Sequence, residues 1–243
     1  MIVGATSAIA KQCARQWAIN SPSEIVLVGR SREKLEQVSS DLAVRAPNAV
    51  IRSMAADFSS PQQINSLVAE MFAQGAVDIA LIAHGSLPDQ DVCQSDLSAC
   101  RDALEVNGLS PVLFAEAFAL HMEKANAGTL AIIGSVAGDR GRKSNYVYGA
   151  AKGLVARYAQ GLQHRLAKTG ISVVLVKPGP TDTPMTAHLK QTGAKLADPE
   201  QVANDIVRGI ATGKRIVYTP GIWALIMLVI RHLPHFIFKR MDV

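Results

Sequence analysis

The sequence predicts a single α/β domain, a doubly wound parallel sheet of about seven strands with helices on both faces. Three observations carry this. Apolar, β-branched runs alternate with helix-length segments along most of the chain. The runs are apolar throughout, the pattern of strands buried on both faces. The 243 residues, 49% hydrophobic and 19% charged, suffice for one large core, and no composition break marks a linker.

Taken in order, residues 1–3 form a strand stub before Gly4. That is short for a central strand, so either the natural chain starts earlier or the strand is short. A β-branched strand at 25–28 precedes an amphipathic helix at 31–45, which ends before Pro47. A weaker strand at 50–54 leads to a helix at 61–73, capped by Ser59 or Ser60 with Pro61 in its first turn. Strand 77–83 is followed by one or two helices over 97–125 and a strand at 129–133. A long helix at 148–168, stopped by Gly170, feeds strand 171–176, which ends at Pro178-Gly179. A helix at 201–212 and a strand at 216–218 complete the core. In such sheets the site lies at the carboxyl ends of the strands.

Composition narrows the function. A net charge of +5 suits a phosphorylated cofactor, an anionic substrate or an anionic membrane face. No stretch interleaves basic and aromatic residues, so no nucleic-acid partner is expected. Cys13, Cys93 and Cys100 have no metal-ligand spacing and read as small hydrophobes in a reduced, cytoplasmic protein. No metal is expected, since His232 and His235 lack a third ligand. No signal peptide is expected, because Met1-Ile2-Val3 runs straight into glycine.

The first turn, "IVGATSAIAKQ", joins a strand to a helix, and a helix amino terminus there can face a pyrophosphate. Gly4 allows the tight turn. Thr6 and Ser7 supply hydroxyls, with Ala8 and Ile9 opening the helix. Ala8 and Ala10 stand where further glycines are expected, which narrows the approach by a methyl each. The second strand ends "LVGRSREKL". Arg30, with Arg32 and Lys34 nearby, stands where an acid would select the unphosphorylated cofactor, so NADP(H) is expected over NAD(H). In "YVYGAAKGL", Lys152 follows Tyr148 by four residues and Tyr146 by six. Only Tyr148 shares a helix face with Lys152. Tyr146 is expected to be a pocket wall.

Ser135 at a strand end, Tyr148-x-x-x-Lys152 thirteen residues on, Asn107 after a helix and "KPGPTDTPM" at 177–185 together resemble the classical short-chain dehydrogenase/reductase family over residues 1–218. The resemblance implies a Rossmann-like NADP-binding catalytic domain over 1–218 and carbonyl reduction by reversible hydride transfer. Tyr148 would be the general acid, its pKa brought down by Lys152 and the oxidised nicotinamide. Ser135 would hold the substrate oxygen, and Lys152 the nicotinamide ribose. Asn107 would keep a water that links Lys152 to solvent. The family pattern further implies Asp57, beside Phe58, at the adenine amino group, against the plainer alternative of a helix cap. Gly85, in "IAHGS", would approach the cofactor backbone-first, with His84 a departure read as structural. Pro178, Gly179, Thr181 and Thr183 would wrap the nicotinamide amide and diphosphate. Residues 183–197, with Met185 and His188, would form the lid. A homodimer or homotetramer is implied, through the helices carrying Asn107 and Tyr148.

Residues 219–243 form an apolar, basic tail. Residues 222–230 are nine consecutive apolar residues, too short to cross a bilayer. The tail reads either as an interfacial anchor, with Trp223 at its edge and Arg231, Lys239 and Arg240 as tethers, or as packing on a partner subunit. With "GATSAIA" and "LVGR", it is similar to reductases of lipid-linked sugars, such as that acting on the keto-ribose of decaprenyl phosphate. Three readings follow. One is a reductase of a lipid-linked substrate, in peripheral contact with the cytoplasmic face of the membrane. Another is a soluble reductase of a small ketone or acyl thioester, and the third is a non-catalytic NADP sensor.

Overall fold

The computed structural model describes residues 1–20, 24–191 and 193–241. Thr192, in the expected lid, and Asp242 and Val243, at the end of the expected tail, lie outside the described residues. The strands are β1 (Ile2–Val3), β2 (Glu24–Gly29), β3 (Val50–Ala55), β4 (Ile79–Ile82), β5 (Gly128–Ile133), β6 (Ile171–Pro178) and β7 (Ile216–Thr219). They form one wholly parallel seven-stranded sheet in the order β3-β2-β1-β4-β5-β6-β7. The chain winds outward from β1 to β3, then returns to place β4 on the other side of β1. The crevice beyond the carboxyl ends of β1 and β4 is therefore the switch point where such sheets bind ligands.

Nearly every central strand residue is buried, and neighbours along a strand enter different cores. Leu130, Ile132, Val173 and Leu175 pack on one face under α3 (Pro61–Gln74), α6 (Ser110–Ala125) and α7 (Tyr146–Arg165). Ala131, Val174 and Val176 pack on the other, under α1 (Ala8–Asn20), α2 (Arg32–Arg45) and α9 (Pro199–Ala211). This two-sided burial is why the strands read as unbroken apolar runs. Ser31, Ser60 and Asp198 cap α2, α3 and α9 through their side-chain oxygens, so Ser60 rather than Ser59 opens the third helix.

Several elements differ from expectation. Residues 90–95 form a short helix, α4 (Gln90–Ser95), capped by Asp89. Residues 97–125 are continuous: α5 (Leu97–Leu104), a π-helical turn (Glu105–Leu109) and α6. That stretch is long and apolar enough to cross a membrane, but Phe114, Phe118 and Met122 are fully buried in the core. The long helix starts at Tyr146, two residues early, after Asn145, whose side chain makes no cap hydrogen bond. The expected lid contains a 3₁₀ turn (Pro184–Thr186) and α8 (Ala187–Gln191).

The tail folds as α10 (Ile222–His232) and α11 (His235–Phe238). Met227 is buried, and Trp223 turns toward Gly179, where any side chain would overlap its indole. Arg140 donates to the carbonyls of Ile230 and, at 2.7 Å, Leu233, while its guanidinium sits 3.8 Å over the Phe238 ring. Trp223 thus faces the body of the protein instead of an interfacial edge. The opposite face stays open: Ile222, Leu225, Val229 and Phe236 are 58%, 59%, 55% and 61% exposed.

Candidate active site

One cleft of about 1520 Å³ opens over the carboxyl ends of the strands. At its floor, Gly4 has a φ of +82°, where glycine is preferred, and a side chain there would strike the backbone of His84. The turn is held by the Gly4 and Ala5 N–H groups, which donate to the Val28 carbonyl at 2.8 and 3.0 Å. Thr6, Ser7, Ala8 and Ile9 follow along the cleft wall at the start of α1. The alanines that replace glycines are accommodated by different means: Ala10 is buried in the core, and Ala8 lines the cleft.

The far end of the cleft is basic. Arg30 and Lys34 line it with Ser31, whereas Arg32 does not. Asp57 lines it as well. The backbone N–H and hydroxyl of Ser59 both bond its carboxylate and hold its pKa down. Asp57 therefore shapes a turn before α3 and is not the cap of that helix. Phe58 closes the floor, meeting Phe114 edge-on at 5.2 Å and the His84 ring at 4.7 Å.

The predicted catalytic side chains gather at the centre. Ser135 leaves β5 and caps the 3₁₀ turn Val136–Asp139, its Oγ accepting from the Ala137 N–H at 3.1 Å. That turn lies hard against α7, since a Cβ on Gly138 would come within 2.6 Å of the Lys152 carbonyl carbon. Tyr148 and Lys152 stand one turn apart, with the ammonium 5.8 Å from the tyrosine ring centroid. Lys152 is buried and donates to the Ile133 carbonyl at 3.1 Å. Burial lowers its pKa to about 8. Tyr148 does not show the expected lowering in the protein alone: burial raises its pKa, opposed by the hydrogen bond with Ser135.

Asn107 does not line the cleft. It is fully buried in the π turn, where its Oδ1 accepts from the Ser86 N–H at 2.8 Å and its Nδ2 donates to the Ala103 carbonyl at 2.9 Å. It thereby fixes the Gly85-Ser86 backbone beside Lys152. Gly85 does line the cleft, and a Cβ on it would sit 2.9 Å from Asn107 Oδ1. Pro178 ends β6 and Gly179 follows it, with Gly179 N–H bonded to the Thr219 carbonyl at 2.9 Å. Thr181 is buried and its hydroxyl donates to the Gly179 carbonyl at 3.0 Å. Thr183 forms a capping box with Thr186, and both line the cleft with Met185. His188 does not. Tyr146 is no pocket wall: it is 46% exposed and outside the cleft.

His84, expected to be structural, lines the cleft with Ser110 yet is buried, and its Nδ1 has no partner among the described residues. Its Nε2 pairs with Ser110 Oγ at 2.8 Å. Burial, reinforced by the charges of Lys152 and Arg30, lowers its pKa to about 3 from 6.5. Because the folded pKa is depressed, the unfolded chain takes up a proton first as pH falls below 6.5. Stability held above that pH is then lost, by ~3 kcal/mol between about pH 6.5 and 4. His84→Asn is expected to flatten the acid limb of denaturant-measured stability by about this amount, and an unchanged limb would refute the assignment.

Sequence reasoning missed two features. Lys177, Asp139 and Tyr218 form a buried network behind the Ser135 turn, with the Tyr218 hydroxyl donating to Asp139 at 2.7 Å and Lys177 paired with the same carboxylate. Its members are too far apart in sequence for any local pattern. Arg142, in the turn before α7, also lines the cleft.

Comparison with known proteins agrees with this architecture. The family profile described as short chain dehydrogenase matches residues 1–194. An "uncharacterized oxidoreductase in mprA 5'region" from Streptomyces coelicolor is 31% identical, covering 100% of this chain and 95% of the relative. The "uncharacterized oxidoreductase Rv2073c" of Mycobacterium tuberculosis is 32% identical, covering 99% and 96%. Among solved structures, a short-chain dehydrogenase from Sphingobium yanoikuyae in complex with NADPH superposes with a TM-score of 0.82 at 20% identity, over 96% of each chain. On the match of its profile over most of the chain, with a parallel sheet of the same fold, the protein belongs to the short-chain dehydrogenase family and is an NAD(P)-dependent oxidoreductase.

Proposed function

We propose that this protein is an NADPH-dependent carbonyl reductase whose reacting centre is Ser135, Tyr148 and Lys152. The observation that carries the reading is their convergence: a strand-end serine, and a tyrosine and lysine one helical turn apart, in one cleft with a glycine turn and the cations Arg30, Lys34 and Arg142. The residues fit a dinucleotide. Gly4 leaves no side chain in the way, and the start of α1 offers N–H groups and hydroxyls to a diphosphate. When bound, the cofactor supplies the hydride.

The chain's residues manage the proton and the charge. Ser135 donates a hydrogen bond to the carbonyl oxygen, and Tyr148 gives that oxygen its proton. The raised phenol pKa keeps Tyr148 protonated for reduction. Lys152, cationic at neutral pH and close to the phenol, favours the phenolate left behind. Asn107 holds the Gly85-Ser86 turn next to Lys152, and any water it keeps there must be held with its amide already engaged. Pro178, Gly179, Thr181 and Thr183 form the wall for the nicotinamide end, and Asp57 and Phe58 that for the adenine end.

Preference for NADP(H) rests on Arg30 and Lys34, which offer an exposed cationic fork at the end of β2 with no acid in the selecting place. Arg30→Asp is expected to cut kcat/KM for NADPH by about 10–100-fold while raising that for NADH. Equal losses with both cofactors would argue against a role in selection.

The tail favours a membrane-surface setting, with the substrate a lipid-linked keto compound. An apolar face on α10 and α11 stands open beside exposed Arg231, Lys239 and Arg240, as an interfacial segment requires. On this reading residues 1–218 are the catalytic domain and 219–243 an accessory tail packed against it, working on the cytoplasmic face. A homodimer or homotetramer is supported by exposed Leu109, Leu113 and Leu120 on the Asn107 side and Leu154 on α7. Light scattering tests it, and a one-chain mass would overturn it.

A further inference from the structure

The substrate end of the cleft contains a cation that the chain does not neutralise. Arg142 lies six residues before Tyr148, in a turn closed by the Asn145 N–H donating to the Arg142 carbonyl at 3.2 Å. The turn is thereby fixed to the start of α7, and the arginine lines the same cleft as Tyr148 and Ser135. Its side chain is half-buried, and no ion pair or hydrogen bond to its guanidinium occurs among the described residues. Burial lowers its pKa, and no carboxylate acts in the opposite direction. Neighbouring Asn145 has a buried amide oxygen that also lacks a partner. Two other withdrawn cations near it are satisfied by the chain: Lys177 pairs with Asp139, and Arg140 donates to two carbonyls and stacks on a ring, while Lys152 belongs to the reacting centre.

A guanidinium withdrawn from water with no counter-charge is costly unless a ligand supplies one. Two acids, Asp102 and Glu105, also line the cleft, from α5 and the π turn, and neither pairs with Arg142. Arg30 and Lys34 stand at the adenine end and are accounted for by the cofactor.

We propose that Arg142 is the anion-recognition residue of the substrate pocket, and that the carbonyl substrate carries a phosphate or carboxylate group. A planar fork suits both. This rests on the reductase reading for the identity of the ligand but not for the existence of the anion site. It narrows the substrate class: a lipid-linked keto-sugar would meet it through a phosphate, a small keto acid through its carboxylate.

The test uses full-length, NADPH-loaded protein and three acetophenones with different para groups: a carboxylate, a phosphate monoester and a methyl ester. Binding is followed by NADPH fluorescence, and turnover by NADPH oxidation. One or both charged ketones should bind more tightly than the ester by about tenfold or more, as a charge-assisted contact provides. Arg142→Gln should collapse that ratio toward one, and Arg142→Lys should restore part of it. The better anion identifies the group. Equal binding of all three, or a ratio that Arg142→Gln leaves in place, would overturn the proposal. A charge preference with no NADPH oxidation by any of the three would support the anion site and sink the reductase reading.

Discussion

Tyr148→Phe is expected to lower carbonyl-dependent NADPH oxidation by about 10²–10⁴-fold while NADPH still binds. The substitution removes one hydroxyl and no packing surface. The helix face that carries Lys152 is unchanged, and Lys152 keeps its bond to the Ile133 carbonyl. What is lost is the only phenol in the cleft, among the described residues, that the Ser135 hydroxyl touches. Tyr146 cannot substitute, because it lies outside the cleft. Stopped-flow or steady-state absorbance at the NADPH band, paired with a binding titration, separates the two effects. A variant that turns over like the unaltered protein would remove Tyr148 from the mechanism, and one that fails to bind NADPH would make its role structural.

Trp223→Ala is expected to be the most damaging change outside the reacting groups. The indole packs against Gly179, which follows β6 in the wall of the cleft, and Arg140 ties the same tail to the turn that carries Ser135. Losing the ring leaves a gap at the wall proposed for the nicotinamide end. A cost of ~2 kcal/mol in stability is expected for a half-buried aromatic, below the range for fully buried ones. NADPH affinity should fall with it, and Arg140→Ala should act in the same direction. Leu225→Glu with Val229→Glu, on the open face, should instead leave the reduction of a soluble ketone intact and abolish binding to anionic vesicles in flotation assays. If Trp223→Ala spares both stability and cofactor affinity, the tail is not part of the site. If the double glutamate variant still floats with vesicles, the open face is not a membrane contact. Stopping the chain after Tyr218 would confuse these two effects, since it removes both faces and cuts β7 before its last residue, Thr219.

What could be read from the sequence follows from how local each signal is. The strands were legible because burial on both faces leaves unbroken apolar runs, as in residues 25–28. The reacting set was legible because four residues on a helix bring Tyr148 and Lys152 together regardless of their surroundings. Asn107 was found, but its π turn and its burial behind Gly85 were not, since the Gly85-Ser86 backbone that covers it comes from another segment. Tyr146 was misplaced because six residues of spacing exclude it from the Lys152 face without saying which other face it occupies. The direction of Trp223 was hidden for a similar reason. An apolar helix of eleven residues has no polar face to orient it, so its packing on Gly179 is decided by tertiary fit. Arg142 and the Asp139–Lys177–Tyr218 network leave no periodic trace at all.

The account's central claim is hydride transfer to a carbonyl at the Ser135–Tyr148–Lys152 centre, and transfer of label tests it most directly. Protein supplied with NADPH deuterated at the transferable position is incubated with a panel of ketones that includes the charged acetophenones, and the alcohols are weighed by mass spectrometry. An alcohol carrying one deuterium at the new carbinol carbon, formed by the unaltered protein and not by Tyr148→Phe, is the predicted result. NADPH that binds tightly while no ketone yields labelled alcohol, or label transferred equally well by Tyr148→Phe, would contradict it.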